Sequence, residues 1–406
     1  MKKRPFEGIK VLDFTMFGVG PFTVNYLAFY GAEVIKVESH ARPDGCRTIT
    51  PYKDNKPGLE RSFYFAFSNP AKKYDITLNL NHPKGVELAK RLVAWADVVA
   101  ESYVGQTMER WGLGYDELKK IKPDIIMFRT CMHGQTGPMA RHPGYGNILT
   151  SLSGYNCIVG WPDRPPCGFQ ARAFTDFVAP LFGIVSLIAA LDYRRRTGKG
   201  QCLDLSQHEA GMHPLAPLIL DYTVNQREPS TSGNRLAYAA PHGVYRCQGD
   251  DRWCAIAVFT DEEWESFCKV IGDSAWAKDP KFATLLGRKQ NADEVDRLVE
   301  EWTSKRSPEE VMSLMQPAGV AAGVVANAKD QAEDPQLKHY HSFHELDHPE
   351  MGRMSFYHGP GFRMSKTDYE LAPPPLLGEY NDYVFTKILG IPDEEFVQLM
   401  EEEVIY

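Results

Sequence analysis

A carboxylate at the head of an apolar helix is the group in this chain whose type best suits nucleophilic chemistry. Asp176 follows Thr175 and precedes residues 177–191, an apolar run that contains Pro180 and Gly183. Two readings of it stand side by side. An aspartate at a helix start accepts backbone N–H bonds as an N-cap. A carboxylate at a helix N-terminus, backed by apolar side chains, is also held ionised but poorly hydrated, and such a group can attack an electrophile. A second candidate is Gly18-Val19-Gly20 with Glu38 downstream, which imitates a dinucleotide fingerprint. The match is incomplete: Thr23 stands at the third glycine position, and Pro21 lacks an N–H where a pyrophosphate would need one. A tight strand-to-helix turn is the favoured reading. His339, His341, His344 and His348, with Glu345 and Asp347, are dense enough to suggest a metal. Pro349, Gly352 and Pro360 point instead to loop and strand, so a solvated connection is favoured and no metal site is expected. Lys36, Arg47, Lys72, Lys73, Arg110, Arg194, Arg195, Arg196 and Lys199 could grip phosphates. Most of them read as solvated surface, and only convergence in space would make a site.

The elements that must position these residues begin with a βαβ unit. Residues 9–14 (IKVLDF) are a β-branched strand, 15–20 a glycine-containing turn, 21–30 an apolar helix with Pro21 in its first turn, and 32–38 (AEVIKVE) a second strand. Helix 82–96 leads into strand 97–102, and helix 115–121 into strand 125–129, so the N-terminal part is α/β with a parallel sheet. Beyond residue 222 the pattern changes. Residues 243–247 and 253–259 around Gly249-Asp250-Asp251 form a hairpin signature. Thr260 to Glu263 and Ser307 to Glu310 open two amphipathic helices. The expected organisation is a large α/β domain over 1–205, a linker over 206–232, a small α+β domain over 233–325 and a linker over 326–375. A C-terminal segment over 376–406 then returns to the large domain.

The 406 residues carry 45 Lys+Arg against 53 Asp+Glu, a formal charge of −8 with no long basic run, which argues against a nucleic-acid partner. Eight cysteines without a Cys-x-x-Cys pair point to reduced thiols in a cytoplasm. The most apolar stretch, 177–191, is shorter than the roughly 20 residues needed to cross a bilayer, so it reads as a buried helix and no membrane association is expected.

Taken together, these segments resemble CoA-transferase family III, the group containing formyl-CoA:oxalate and carnitine CoA-transferases. The likeness covers almost the whole chain. Its strongest pieces are GIKVLDFT from Gly8 with Gly20-Pro21, GAEVIKVE from Gly31, MERWGLGY from Met108, GQTGP from Gly134, Pro143-Gly144-Tyr145, and Ala189 through the arginines to TGKGQ at Thr197–Gln201. The resemblance implies a Rossmann-like doubly wound parallel sheet with a second, smaller α+β domain, assembled as an interlocked dimer. It implies that Asp176, by its distance before Thr197, is the catalytic carboxylate. It places coenzyme A over the N-terminal βαβ region, at positions matching Phe17, Gly18, Leu78, Ser102, Tyr103, Arg110, Trp111 and Tyr145. No cofactor is implied as permanently bound, because coenzyme A and acyl-CoA are substrates. The implied partners are an acyl-CoA donor, a carboxylic acid acceptor, and a second copy or a related subunit.

In the family's reaction the aspartate attacks the donor thioester to give a mixed anhydride. An aspartyl-CoA thioester, a second anhydride and the new acyl-CoA follow. Backbone N–H groups near the start of the Asp176 helix, or around Pro241-His242-Gly243, are the candidate oxyanion donors. Phe17, Tyr103, Trp111 and Tyr145 are candidate walls of a pocket that excludes water. The related α-methylacyl-CoA racemases carry a His-Asp pair where this chain has Tyr145-Gly146, and without an imidazole there proton exchange loses a partner. Racemisation and a non-catalytic CoA-binding subunit remain as alternatives. Gly146 replaces an acid found in many transferases, and the glycine-rich loop of oxalate-specific members is not evident between residues 230 and 243. The expected donor is succinyl-CoA, and the expected acceptor an acid larger than oxalate, such as the aryl-substituted benzylsuccinate.

Overall fold

The β-branched run KVLDF forms strand β1 (Lys10–Phe14), and the apolar residues behind it form helix α1 (Val19–Phe29) and strand β2 (Glu33–Glu38). The structure is a computed structural model describing residues 4–168, 173–272, 274–356 and 359–406. Strand β3 (Tyr74–Thr77), helix α2 (Pro83–Trp95), strand β4 (Val98–Glu101), helix α3 (Tyr115–Ile121) and strand β5 (Ile126–Cys131) continue the alternation. Helix α4 (Gly146–Leu152), the long helix α5 (Thr175–Thr197), strand β6 (Cys202–Ser206), and helices α6 (Gln207–Met212) and α7 (Ala216–Asn225) follow. The six strands make one all-parallel sheet in the order β3-β2-β1-β4-β5-β6. This is the doubly wound order, in which the connections leave β1 and β4 in opposite directions and open a crevice at their carboxyl ends.

Alternate residues of each strand face opposite sides of the sheet, and both sides are covered. Leu12, Ile35 and Val99 pack with Leu88 and Leu92 of α2 and with Val384, Phe385, Leu399 and Ile405 from the chain's end. Val11, Val34 and Ile126 pack on the other side with Leu27 of α1 and Leu187 and Ala190 of α5. Strands buried on both faces read as near-continuous apolar runs, which is why β1, β2 and β4 are visible in the sequence.

Helix α5 departs from the expectation of a buried helix. Ala179, Gly183, Leu187 and Ala190 are buried, and a Cβ on Gly183 would lie 2.7 Å from the Thr23 hydroxyl of α1. On the opposite face Leu181 is 54% and Val185 65% exposed, and Phe177 and Ile188 are exposed as well. At 23 residues this helix is long and apolar enough to cross a membrane by length and composition, yet one of its faces is packed on the sheet.

The chain divides into two compact units. The first contains Met1–Tyr155, Phe169–Glu228 and Lys338–Tyr406, and the second Asn156–Gly168 and Pro229–Leu337. In the second unit strands β7 (His242–Arg246) and β8 (Trp253–Ala257) form the antiparallel hairpin, followed by helices α8 (Asp261–Val270), α9 (Ala292–Thr303) and α10 (Pro308–Met315). Strand β9 (Ala321–Val324) then pairs with β8. Thr260 and Ser307 accept the N–H groups of Glu263 and Glu310, as their N-cap spacing predicts. The first unit closes with the antiparallel pair β10 (His344–His348) and β11 (Gly352–Phe356) and with helix α11 (Asp393–Glu401).

Candidate active site

The loop after β1 is held by charges that the fold has removed from water. Lys36 Nζ donates to the Thr15 carbonyl (2.9 Å) and to Asp44 Oδ2 (3.1 Å). Asp44 Oδ1 accepts the N–H groups of Phe17 and Cys46, both at 3.0 Å. Glu38 accepts from Asp44 N–H (2.6 Å) and pairs with Arg47 (2.9 Å), which also reaches Glu60 (2.6 Å). Lys73 pairs with Asp13 at 3.3 Å. Burial alone would lower Lys36, but Asp44, Glu38 and Asp13 outweigh it and hold the ammonium well above its usual range. Burial likewise acts to raise Glu38, and the cations Lys36 and Arg47 reverse it to about 2. Lys36, Arg47 and Lys73 are therefore not solvated surface: each is buried and spent on a structural partner. So is Glu38, the acid of the dinucleotide-like pattern. From the other side of the crevice Ser102 Oγ accepts Met16 N–H (2.9 Å), and Glu101 accepts Tyr103 N–H (2.7 Å) and Arg129 Nε–H (2.7 Å). Held from both sides, Phe17 sits at φ +65°, in the left-handed region that non-glycine residues seldom adopt.

Asp176 stands beside this loop. It is not the N-cap of α5: that position is Phe174, which has no capping side chain, and Asp176 lies one residue inside the helix start at Thr175. The N–H groups of Asp176, Phe177 and Val178 bond to the carbonyls of Ala173 and Phe174, so the head of α5 supplies no free donors at these positions. Two glycines make room for the carboxylate. A Cβ on Gly18 would lie 3.0 Å from Asp176 Oδ2, and one on Gly146 would lie 2.2 Å from Oδ1 and 2.3 Å from Ala173 Cβ. Gln207, the first residue of α6, donates from Nε2 to Asp176 Oδ1 and to Thr175 Oγ1 (3.0 Å). Among the described residues no cation neighbours the group. Burial pushes its pKa up to about 6, against the opposing pull of the Gln207 hydrogen bond.

Of the expected coenzyme A positions, Phe17, Gly18 and Tyr145 gather at Asp176. The rings of Phe17 and Tyr145 meet edge to face at 5.1 Å, and Tyr145 is 61% exposed. Tyr103 and Trp111 meet at 5.3 Å and pack against the core that contains Leu78, which is itself fully buried. Arg110 bonds Thr107 Oγ1 (3.0 Å) and lines a cavity of about 260 Å³ with Val104, Gly105, Gln106 and Arg141. The histidine group is spread over different elements: His339 ends a short helix, His341 lies in a turn and His344 and His348 bound β10; His344 meets the Tyr369 hydroxyl at 2.8 Å, and His348 Nδ1 accepts the N–H groups of Glu350 and Met351. Among the described residues no cluster of three or more His, Cys, Asp or Glu has metal-binding geometry. Sequence reasoning missed Gln207. The signal that could have found it is its place directly after a strand, at the carboxyl edge of the parallel sheet, where polar side chains reach ligands.

The family model for CoA-transferase family III matches residues 6–381. A succinyl-CoA–D-citramalate CoA-transferase of Chloroflexus aurantiacus is 32% identical over 403 residues, 99% of this chain and 98% of the relative. The human succinyl-CoA:glutarate CoA-transferase is 29% identical over 99% of this chain and 90% of its own length. A solved CAIB/BAIF family protein from Brucella suis superposes with a TM-score of 0.86 at 30% identity, over 95% of this chain and 100% of that one. The parallel sheet, the carboxylate at its carboxyl edge that no described cation pairs, and these likenesses agree: the chain belongs to CoA-transferase family III and is a CoA-transferase.

Proposed function

We propose that the protein moves coenzyme A from succinyl-CoA to a dicarboxylic acid, with Asp176 as the covalent carrier. The observation that carries this reading is a carboxylate, partly buried, with no cation beside it among the described residues and two glycines opening space around its oxygens. A buried aspartate kept for structure is normally paired, as Asp13 and Asp44 are. Among the described residues Asp176 has only the Gln207 amide, which leaves its charge available for attack on a thioester. With a pKa of about 6 it is ionised at neutral pH, and thiolate from a thiol of pKa about 8.5 leaves without a general base.

The donor is suggested by the relatives named for succinyl-CoA, whose acceptors are D-citramalate, glutarate and L-malate. The aryl-substituted succinate expected from the sequence is likewise a dicarboxylic acid. Phe17, Gly18, Ser102, Tyr103, Arg110, Trp111 and Tyr145 are the proposed contacts for coenzyme A, with Arg110 on a phosphate because its charged fork does not titrate. Leu78 would act from within the core, as support for the surface above it. The exposed apolar face of α5 is the proposed seat of a second copy or a related subunit, and light scattering on the purified protein tests that assembly.

The chemical test is direct. Incubation with succinyl-CoA and hydroxylamine should leave a hydroxamate on the Asp176 peptide, detected by mass. Product formation from citramalate, glutarate, malate, oxalate and benzylsuccinate then ranks the acceptors. Labelling elsewhere, or none, would sink the carrier assignment.

A further inference from the structure

Among the described residues Gln207 is the one polar side chain bonded to the proposed nucleophile, and its surroundings leave it a single orientation. It is 6% exposed, and Thr175 beside it is fully buried. Its Nε2 carries two hydrogens, and both are used, one on Thr175 Oγ1 and one on Asp176 Oδ1. Gly211 of the same helix α6 packs against Thr175, where an added Cβ would meet Cγ2 at 2.7 Å. The two carboxylate oxygens are thereby made unlike. Oδ1 is pinned by an amide, and Oδ2, which lies towards Gly18, has no donor among the described residues.

We propose that Gln207 is a positioning residue that makes Oδ2 the attacking oxygen of Asp176 and keeps a donor on Oδ1 for the steps in which the aspartyl carbon is itself attacked. This rests on Asp176 being the carrier. In the first step Oδ2 bonds to the acyl carbon, the C–S bond breaks and CoA leaves as thiolate. The thiolate then attacks Cγ of Asp176, the Cγ–Oδ2 bond breaks, and the donor acid departs with Oδ2. An acceptor carboxylate attacks Cγ next and the C–S bond breaks again. Finally thiolate takes the acceptor's acyl group and frees the aspartate. In both middle steps the negative charge of the tetrahedral intermediate falls on Oδ1, where the Gln207 N–H already points. A preorganised donor at such an oxygen is the element whose removal slows acyl transfer.

The groups facing Asp176 make the contribution of Gln207 readable in a pH profile. Among the described residues, Gly18 just before α1, Gly146 from α4 and Thr175 from α5 are uncharged, and the Cys46 thiol is kept neutral by burial first and by Asp44 second. Attack requires the carboxylate, so kcat/KM falls as pH drops through the pKa of Asp176. Removing a hydrogen bond to the charged form moves that acid limb to higher pH.

The test compares the full-length protein with Gln207→Met, which keeps the volume and loses the donor, and with Gln207→Glu. Gln207→Met should lower kcat on the order of 10²-fold with little change in KM for the acyl-CoA, and should move the acid limb upward. In a single turnover it should keep the thiolate burst and slow release of the donor acid. Gln207→Glu should move the limb further, because two carboxylates then share one site. Wild-type kcat and an unmoved limb in Gln207→Met would overturn the proposal; if that variant does not fold, an unmoved limb in Gln207→Glu overturns it instead. The carrier reading fails separately, by absence of the Asp176 hydroxamate in the wild-type protein.

Discussion

Two groups of carboxylates sit within reach of one another at the carboxyl edge of the same sheet, and they are treated in opposite ways. Asp13, Glu38 and Asp44 are buried among Lys73, Arg47 and Lys36, and nearly every oxygen has a cation or an N–H. Asp176 is partly buried with an amide for company. The first group buys geometry: it ties the Thr15–Phe17 turn and the 44–48 segment to the strands beneath. Asp176 is costly to ionise where it stands, and the Gln207 amide offsets only part of that cost. Burial with a partner fixes shape, and burial without one stores reactivity.

The comparison breaks most severely at the nucleophile. Asp176→Asn should lower kcat by about 10³-fold or more, as for loss of an enzymatic nucleophile, while circular dichroism stays unchanged. Retention of a few per cent of turnover would count against the contrast drawn here. Lys36→Met should act in the other currency. It strands Asp44 and should destabilise the fold by about 3–5 kcal/mol, read in a denaturant titration, with much of that recovered when Asp44→Leu is added. A double variant as unstable as the sum of both would show that the pair is not coupled. Gly146→Ala should cost roughly 10²-fold in kcat, because its methyl would displace Oδ1 from the amide and misplace the attacking oxygen. Near-normal turnover would mean that the carboxylate does not need that space.

The smallest effect has the most telling sign. Asp176 binds its proton more tightly folded, at about 6, than unfolded, at 3.8. Its contribution to stability is therefore fullest below pH 3.8 and is lost as pH rises through about 6. Asp176→Asn should consequently stabilise the protein at pH 7, on the order of 1–2 kcal/mol, and the gain should vanish in acid. A lower melting temperature at pH 7 would place Asp176 with the structural carboxylates.

What the sequence discloses divides along the same line. The βαβ start is legible because β1 and β2 are β-branched runs separated by an apolar helix. Tyr74–Thr77 and Cys202–Ser206 escaped as strands, being short and carrying Asp75 and Asp204 in their middles. Local chemistry alone leaves Asp176 between cap and nucleophile, and only its distance from the Thr197–Gln201 turn, seen through the family resemblance, separates the two. The charge network was misread as surface because its partners lie up to 60 residues apart, as Asp13 and Lys73 do. A lysine in a strand looks the same in sequence whether its neighbour is water or an aspartate. Gln207 was invisible for a like reason: it meets Asp176 only because β6 delivers α6 to the edge of the sheet.

Position 146 carries one further consequence. Because a Cβ there would fall 2.2 Å from Asp176 Oδ1, every replacement intrudes on the reacting group. Tyr145, its neighbour, is 61% exposed and presses on Phe17 alone among described rings. Two adjacent codons thus answer to different constraints, one to the reacting group and one to the bound substrate. A saturation library selected for activity should return only glycine at 146 and, at 145, side chains that can still wall the pocket, marking where the fold stops negotiating with substrate choice and starts protecting the reaction.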